Sequence, residues 1–196
     1  MLPFWILFLG DSTMRQLASM AVTDLNGTLG DPSWPGVDHR IKSGCVSPEK
    51  TGSHGCLRDW MNDYYRVTFI FQTRTNGIEW LHDQLFTPSN QPDLVVVSPG
   101  AWDLYKGRWQ RGQISEWLEL VRELHPNTHA VAQTICNAAS PTATAVKILN
   151  REMRETLGDT CYHHRQSVEL DQCQGFHLGP VDVNRSWTEL RQSLSI

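Results

Sequence analysis

Three short stretches of this chain carry the residue types that nucleophilic chemistry requires. Gly10-Asp11-Ser12 closes one apolar run, and Pro99-Gly100-Ala101-Trp102-Asp103 closes another. Asp171 through His177 precedes the last helical pattern. A serine between a strand end and a helix start can hold its hydroxyl above the edge of a sheet. Its own N–H joins the outward-pointing donors of the first helical turn, which can receive an oxyanion. Serine alone is a weak nucleophile and needs a base within hydrogen-bond reach. His177, in a turn flanked by Gly175 and Gly179, is the best-placed base. Structural roles compete with both assignments. A serine at a helix start is often only a cap, and a loop histidine is often solvated or bonded to backbone.

The elements that must position these residues follow from periodicity. Trp5 to Leu9 reads as a buried strand, and from Thr13 apolar residues recur at helical spacing up to Asn26-Gly27. Leu29 to about Asn62 is rich in Gly, Pro, Ser and Asp and reads as a long loop. Strands are expected at Val67–Phe71, Asp93–Ser98 and His129–Ile135, with a weak one in Tyr162–Leu170. Helices are expected at Ile78–Leu85, around Ile114–Val121, from Pro141 to Thr156 behind a Ser140 cap, and around Trp187–Leu194. The continuous apolar run Asp93–Ser98 suits a parallel strand buried on both faces. Strands alternate with helices without repeat or linker. The expectation is one α/β domain over residues 1–196: three-layer α/β/α, with a central, mostly parallel sheet. Ligands in such sheets bind at the carboxyl ends of the strands.

Bulk properties exclude several functions. The 196 residues are 40% hydrophobic, enough for a sizeable core, and the net charge of -4 gives no field for nucleic acid. No apolar stretch reaches the roughly 18 residues of a membrane span. Met1 to Leu9 lacks the basic start and cleavage site of a signal peptide. The five cysteines suggest two local pairs, Cys45 with Cys56 and Cys161 with Cys173, leaving Cys136 as a buried thiol. With two acceptor sequons, Asn26-Gly27-Thr28 and Asn184-Arg185-Ser186, they favour an oxidising compartment. That places the chain in the secretory pathway, in the Golgi lumen or outside the cell, with a larger membrane-anchored protein as one setting. No metal site is expected, because Cys45, His54 and Cys56 lack a Cys-x-x-Cys and a fourth ligand. The adjacent His163 and His164 would point to opposite faces of a strand. Most of Trp60, Tyr64, Trp80, Trp102, Tyr105 and Trp109 should pack in the core. The alternative is that Trp102, Tyr105 and Trp109 line a sugar groove beside Ser12.

"GDSTMRQL" after the first strand resembles block I of the SGNH/GDSL hydrolases. Arg15, three residues after Ser12, resembles their PC-esterase branch, which includes the trichome-birefringence-like and NXPE-like domains. "PDLVVVSPGAWDLY" is similar to that branch's third block, and "QGFHLGP" sits where the family carries its histidine. The resemblance runs from Phe8 to Pro180. It implies an SGNH-hydrolase-like fold, Ser12 as nucleophile and His177 as base, with no cofactor. Gly77 matches the block II glycine that donates a second N–H to the oxyanion. It further implies a serine ester hydrolase or O-acyltransferase working through an acyl-serine, on acyl esters, often acetyl, of glycans or glycoproteins.

Two departures stand out. The superfamily has Asn in the block III position held here by Trp102, so the indole N–H and Arg15 become candidate oxyanion partners. The family's acid lies three residues before the histidine, where this chain has Gln174; Asp171 is the nearest carboxylate upstream. A catalytically inactive glycan-binding relative of the same fold is therefore the alternative function. Asp11 and Asp103 are expected to accept local hydrogen bonds.

Overall fold

The computed structural model describes residues 2–25, 57–71, 75, 91–100, 103–104, 106–133, 141–163, 173–174, 177–178 and 180–196. Their elements are β1 (Phe4–Gly10), α1 (Ser12–Leu25), β2 (Leu57–Met61), β3 (Tyr65–Phe71) and β4 (Leu94–Ser98). These are followed by α2 (Gln113–Leu124), β5 (Thr128–Val131), α3 (Pro141–Leu157) and β6 (Tyr162–His163). The chain closes with β7 (Cys173–Gln174), β8 (His177–Leu178) and α4 (Pro180–Leu194).

Six strands form one sheet in the order β2-β3-β1-β4-β5-β6. All neighbours are parallel except β2, which pairs antiparallel with β3 along one edge. The alternation of side chains along a strand divides the core into two layers. Ile6 and Phe8 of β1 face one side, where Met14, Leu17 and Ala21 of α1 and Val183, Trp187 and Leu190 of α4 cover them. Trp5, Leu7 and Leu9 face the other, under Ile114, Trp117 and Val121 of α2 and Leu149 and Met153 of α3. Such central strands are apolar on both faces because both are buried. This is the expected three-layer α/β/α architecture.

The local expectations meet different outcomes. Strands β1, β3 and β4 and helix α1 fall where apolar periodicity puts them, and Pro141 opens α3. β2 is a correction, because it lies inside the stretch read as loop. Its Leu57-Arg58-Asp59-Trp60-Met61 has no apolar run, and pairing with β3 makes it a strand. Its turn is set by Asn62, whose Oδ1 accepts the N–H groups of Tyr64 at 2.9 Å and Tyr65 at 2.7 Å. α4 begins seven residues before Trp187, because Pro180 suits a first helical position. His177 stands in a strand rather than a turn, pairing with Gln174 across the small β7-β8 sheet. The expected helix at 78–85 and the Ser140 cap lie outside the described residues.

Candidate active site

The first corner is built by Gly10, Asp11 and Ser12. Gly10 lets α1 start hard against the sheet: a Cβ there would stand 2.4 Å from Met14 Cγ and 3.2 Å from the Ser98 carbonyl. Asp11 is buried and caps the helix. Its Oδ1 accepts the Thr13 N–H at 2.8 Å, and its carbonyl accepts the Arg15 N–H at 3.0 Å. Asp11 thus has the local role expected of it. The cap is the aspartate and not the serine. Ser12, half-buried, is the first helical residue, where N–H donors and the positive end of the helix dipole face outward. Arg15, also half-buried, follows at i+3 on the same side of the helix.

The second corner leaves β4, whose Ser98 is registered against Gly10. Helix α1 covers one face of the sheet and α2 the other, so the connections leaving the adjacent strands β1 and β4 diverge. Such a topological switch opens a crevice at the carboxyl ends of two strands. Ser12 directly follows the carboxyl end of β1, beside this switch. The exit of β4 is held by side chains that the sequence did not single out. Gln133, buried after β5, donates from Nε2 to the carbonyls of Ser98 at 2.9 Å and Pro99 at 3.1 Å. Its own backbone is locked by Asn150 of α3, which accepts its N–H at 2.7 Å and donates to its carbonyl at 3.0 Å. Gly100, with φ +90°, leaves no room for a side chain, since a Cβ would lie 2.5 Å from Leu149 Cδ1. Asp103 is buried, and its carboxylate accepts the Thr75 N–H at 3.3 Å, so it ties the segment beyond β3 to this corner. That is the structural role expected of it.

The third corner is placed by α4. The carboxyl end of α1 lies by the amino end of β3, where the Leu25 carbonyl accepts from Asn62 Nδ2 at 3.5 Å. Asp24 Oδ2 accepts Trp187 Nε1 at 2.9 Å and Arg191 Nη1 at 2.7 Å. The later part of α4 therefore meets the later part of α1, and the two helices run the same way. Pro180 then points to the end of the sheet that carries Ser12. β8, with the backbone of His177, lies beside both helices just before that start. The ring of His177 is not described, and Gly77, Trp102 and Asp171 lie outside the described residues. Of Gln174, only its backbone in β7 is described.

Other sequence candidates resolve differently. Trp60 is buried in the core and Trp109 packs against it, as expected of most of these aromatics, while Tyr64 is exposed. Trp80, Trp102 and Tyr105 lie outside the described residues. Cys161 is a free thiol, so the Cys161–Cys173 pairing suggested by spacing is not formed; Cys45, Cys56 and Cys136 lie outside the described residues. His163 stacks on His129, with the rings 5.0 Å apart, and His164 lies outside the described residues. Among the described residues, no helix is long and apolar enough to cross a membrane.

No family model and no curated protein matches this chain. Solved structures do match it over nearly its full length. A lipase/acylhydrolase from Enterococcus faecalis is similar at TM-score 0.60 and 15% identity, covering 97% of this chain and 94% of that one. An acetyl xylan esterase from Geobacillus stearothermophilus matches at TM-score 0.57 and 14% identity, with the same coverages of 97% and 94%. A family 3 carbohydrate esterase from Clostridium thermocellum matches at TM-score 0.53 and 15% identity, again covering 97% and 94%. Likeness at this level of identity speaks for the fold, and the fold is that of the SGNH hydrolases.

Proposed function

We propose that the chain is a serine ester hydrolase or O-acyltransferase of the PC-esterase kind. In this reading Ser12 Oγ attacks the acyl carbonyl carbon while His177 takes its proton. The resulting oxyanion is received by the N–H groups of Ser12 and Gly77, with Trp102 and Arg15 as further partners. Collapse breaks the ester C–O bond, His177 returns the proton to the departing alcohol, and an acyl-serine remains. Water or a sugar hydroxyl, activated by the same histidine, then takes the acyl group. The scheme draws on no metal or organic cofactor. Asp171 and the Gln174 position are both candidates for orienting the imidazole.

The observation that carries this reading is the division of labour at the first corner. Asp11 caps α1, and Ser12 is the first residue of that helix, at the carboxyl end of β1 beside the point where the β1 and β4 connections diverge; β8, which carries His177, packs against α1 as well. We assign acyl, chiefly acetyl, esters of glycans or glycoproteins as substrates. The sequence resemblance supports this, as do the carbohydrate and acetyl xylan esterases among the similar folds. The two sequons support a setting in the secretory pathway, and Asn184 is exposed on α4. A fluorophosphonate should label the protein, and p-nitrophenyl acetate should be turned over; Ser12→Ala should abolish both. Labelling that survives Ser12→Ala overturns the nucleophile. The second reading, an inactive glycan-binding relative, is motivated by Gln174 in the acid position. It predicts no labelling of the wild type and sugar-polymer binding that Ser12→Ala leaves intact.

A further inference from the structure

Asp182 is the anomaly of the described residues. Four acids among them are buried: Asp11, Asp103, Glu152 and Asp182. The first three each accept at least one hydrogen bond. Asp182 is 3% exposed, and neither of its oxygens has a hydrogen-bond partner among the described residues. Among the described residues it forms an ion pair with Arg185 Nη1 at 3.8 Å, beyond hydrogen-bond reach, on a side chain that is 40% exposed. An ionised carboxylate buried without hydrogen bonds is strongly unfavourable, so a donor belongs beside it.

Its position says which donor. Asp182 lies in the first turn of α4, and β8 with His177 enters that helix five residues earlier. Helical side chains tilt toward the amino end, so this carboxylate leans toward the incoming segment. The usual acid position before the histidine is occupied by Gln174, which cannot balance the charge of an imidazolium. We propose that Asp182 is the positioning residue for His177. It accepts the Nδ1–H bond of the imidazole, fixes the tautomer that presents Nε2 to Ser12, and stabilises the imidazolium while the proton from Ser12 rests there. No proton passes to the carboxylate. This assignment rests on the Ser12–His177 chemistry proposed above.

The test compares full-length wild type with Asp182→Asn, Asp182→Glu, Asp171→Asn and Ser12→Ala, using fluorophosphonate labelling and p-nitrophenyl acetate kinetics across pH. Asp182→Asn should lower kcat by on the order of a hundredfold or more with little change in KM. The acid limb of its kcat/KM profile should move to lower pH, because the imidazolium loses its counter-charge. Asp182→Glu should recover part of the rate, and an acid limb that moves further in Asp171→Asn than in Asp182→Asn would give the role to Asp171 and overturn this assignment. A rate within threefold of wild type and an unmoved limb in Asp182→Asn would overturn the assignment while leaving Ser12 as nucleophile. If circular dichroism shows Asp182→Asn unfolded, nuclear magnetic resonance titration of His177 in Asp171→Asn decides. An imidazole still titrating above its ordinary range supports Asp182, and one within or below that range removes it. Absence of labelling in the wild type sinks the Ser12 chemistry itself, and this assignment with it.

Discussion

Gly10 holds the first corner together by having no side chain. A methyl group there would stand 2.9 Å from Met14 Cβ, 2.4 Å from Met14 Cγ and 3.2 Å from the Ser98 carbonyl. Neither the first turn of α1 nor β4 can yield without shifting the residues that frame the crevice. Gly10→Ala should therefore destabilise the fold by about 1–3 kcal/mol, the usual cost of overpacking. It should also depress any Ser12-dependent activity beyond what the lost stability explains, which urea denaturation and esterase assays on the folded fraction can separate. Asp11 makes a different demand. Its Oδ1 accepts the Thr13 N–H, which an amide oxygen can also do, so Asp11→Asn should keep more stability than Asp11→Ala, which should cost about 1 kcal/mol. Equal melting temperatures for the two variants would show that the Thr13 hydrogen bond is not what holds this helix start.

At the scale of elements, one helix of this chain is completed by a residue far away in sequence. Helix α2 follows Gly112, which sits at φ +89° and supplies no side-chain cap. Glu152 of α3 does so instead: its Oε1 accepts the N–H groups of Ile114 and Ser115, each at 3.1 Å. Glu152→Ala should lower stability by about 1–2 kcal/mol by leaving those donors uncapped. Its hydrogen-exchange signature should be loss of protection at the start of α2, with β1 and β3 unaffected. The same feature explains what could be read in the sequence. Trp5–Leu9 and Leu94–Ser98 announce strands because both faces are buried, and α1 announces itself because its apolar residues share one face. β2 does not, since Arg58 and Asp59 interrupt any apolar run and the pairing partner lies beyond a turn. Ser12 and His177 could be singled out by residue type and local setting. Gln133, Glu152 and Asp182 could not, because their importance lies in contacts or burial. Gln133 is joined to Ser98 across 35 positions and Glu152 to Ile114 across 38. Only folding brings such groups together.

At the scale of the whole molecule, the far side of the sheet carries a pH-sensitive join. Asn127 Nδ2 donates to the Asp93 carbonyl at 2.6 Å, which turns its Oδ1 toward His129 Nε2 at 3.2 Å. His129 must then carry its proton on Nε2, leaving Nδ1 to accept from His163 Nε2–H at 2.7 Å. The chain of bonds links the β4, β5 and β6 segments, and it needs Nδ1 of His129 unprotonated. Burial lowers the pKa of His129, and burial together with the neighbouring His129 charge brings His163 down from 6.5 to about 4. Between those values the unfolded chain binds a proton at position 163 that the folded chain does not. Stability must therefore rise with pH in that window. The penalty is absent well above pH 6.5, grows as pH falls, and is complete below about 4. Carboxylates elsewhere also titrate in the lower part of this range, so the comparison must be differential. In urea unfolding at pH 7.5, 5.5 and 4, a His129→Gln, His163→Gln protein should lose less stability than the wild type as pH falls. Parallel pH dependences for the two proteins would mean that the histidine pair does not resist protonation in the native state.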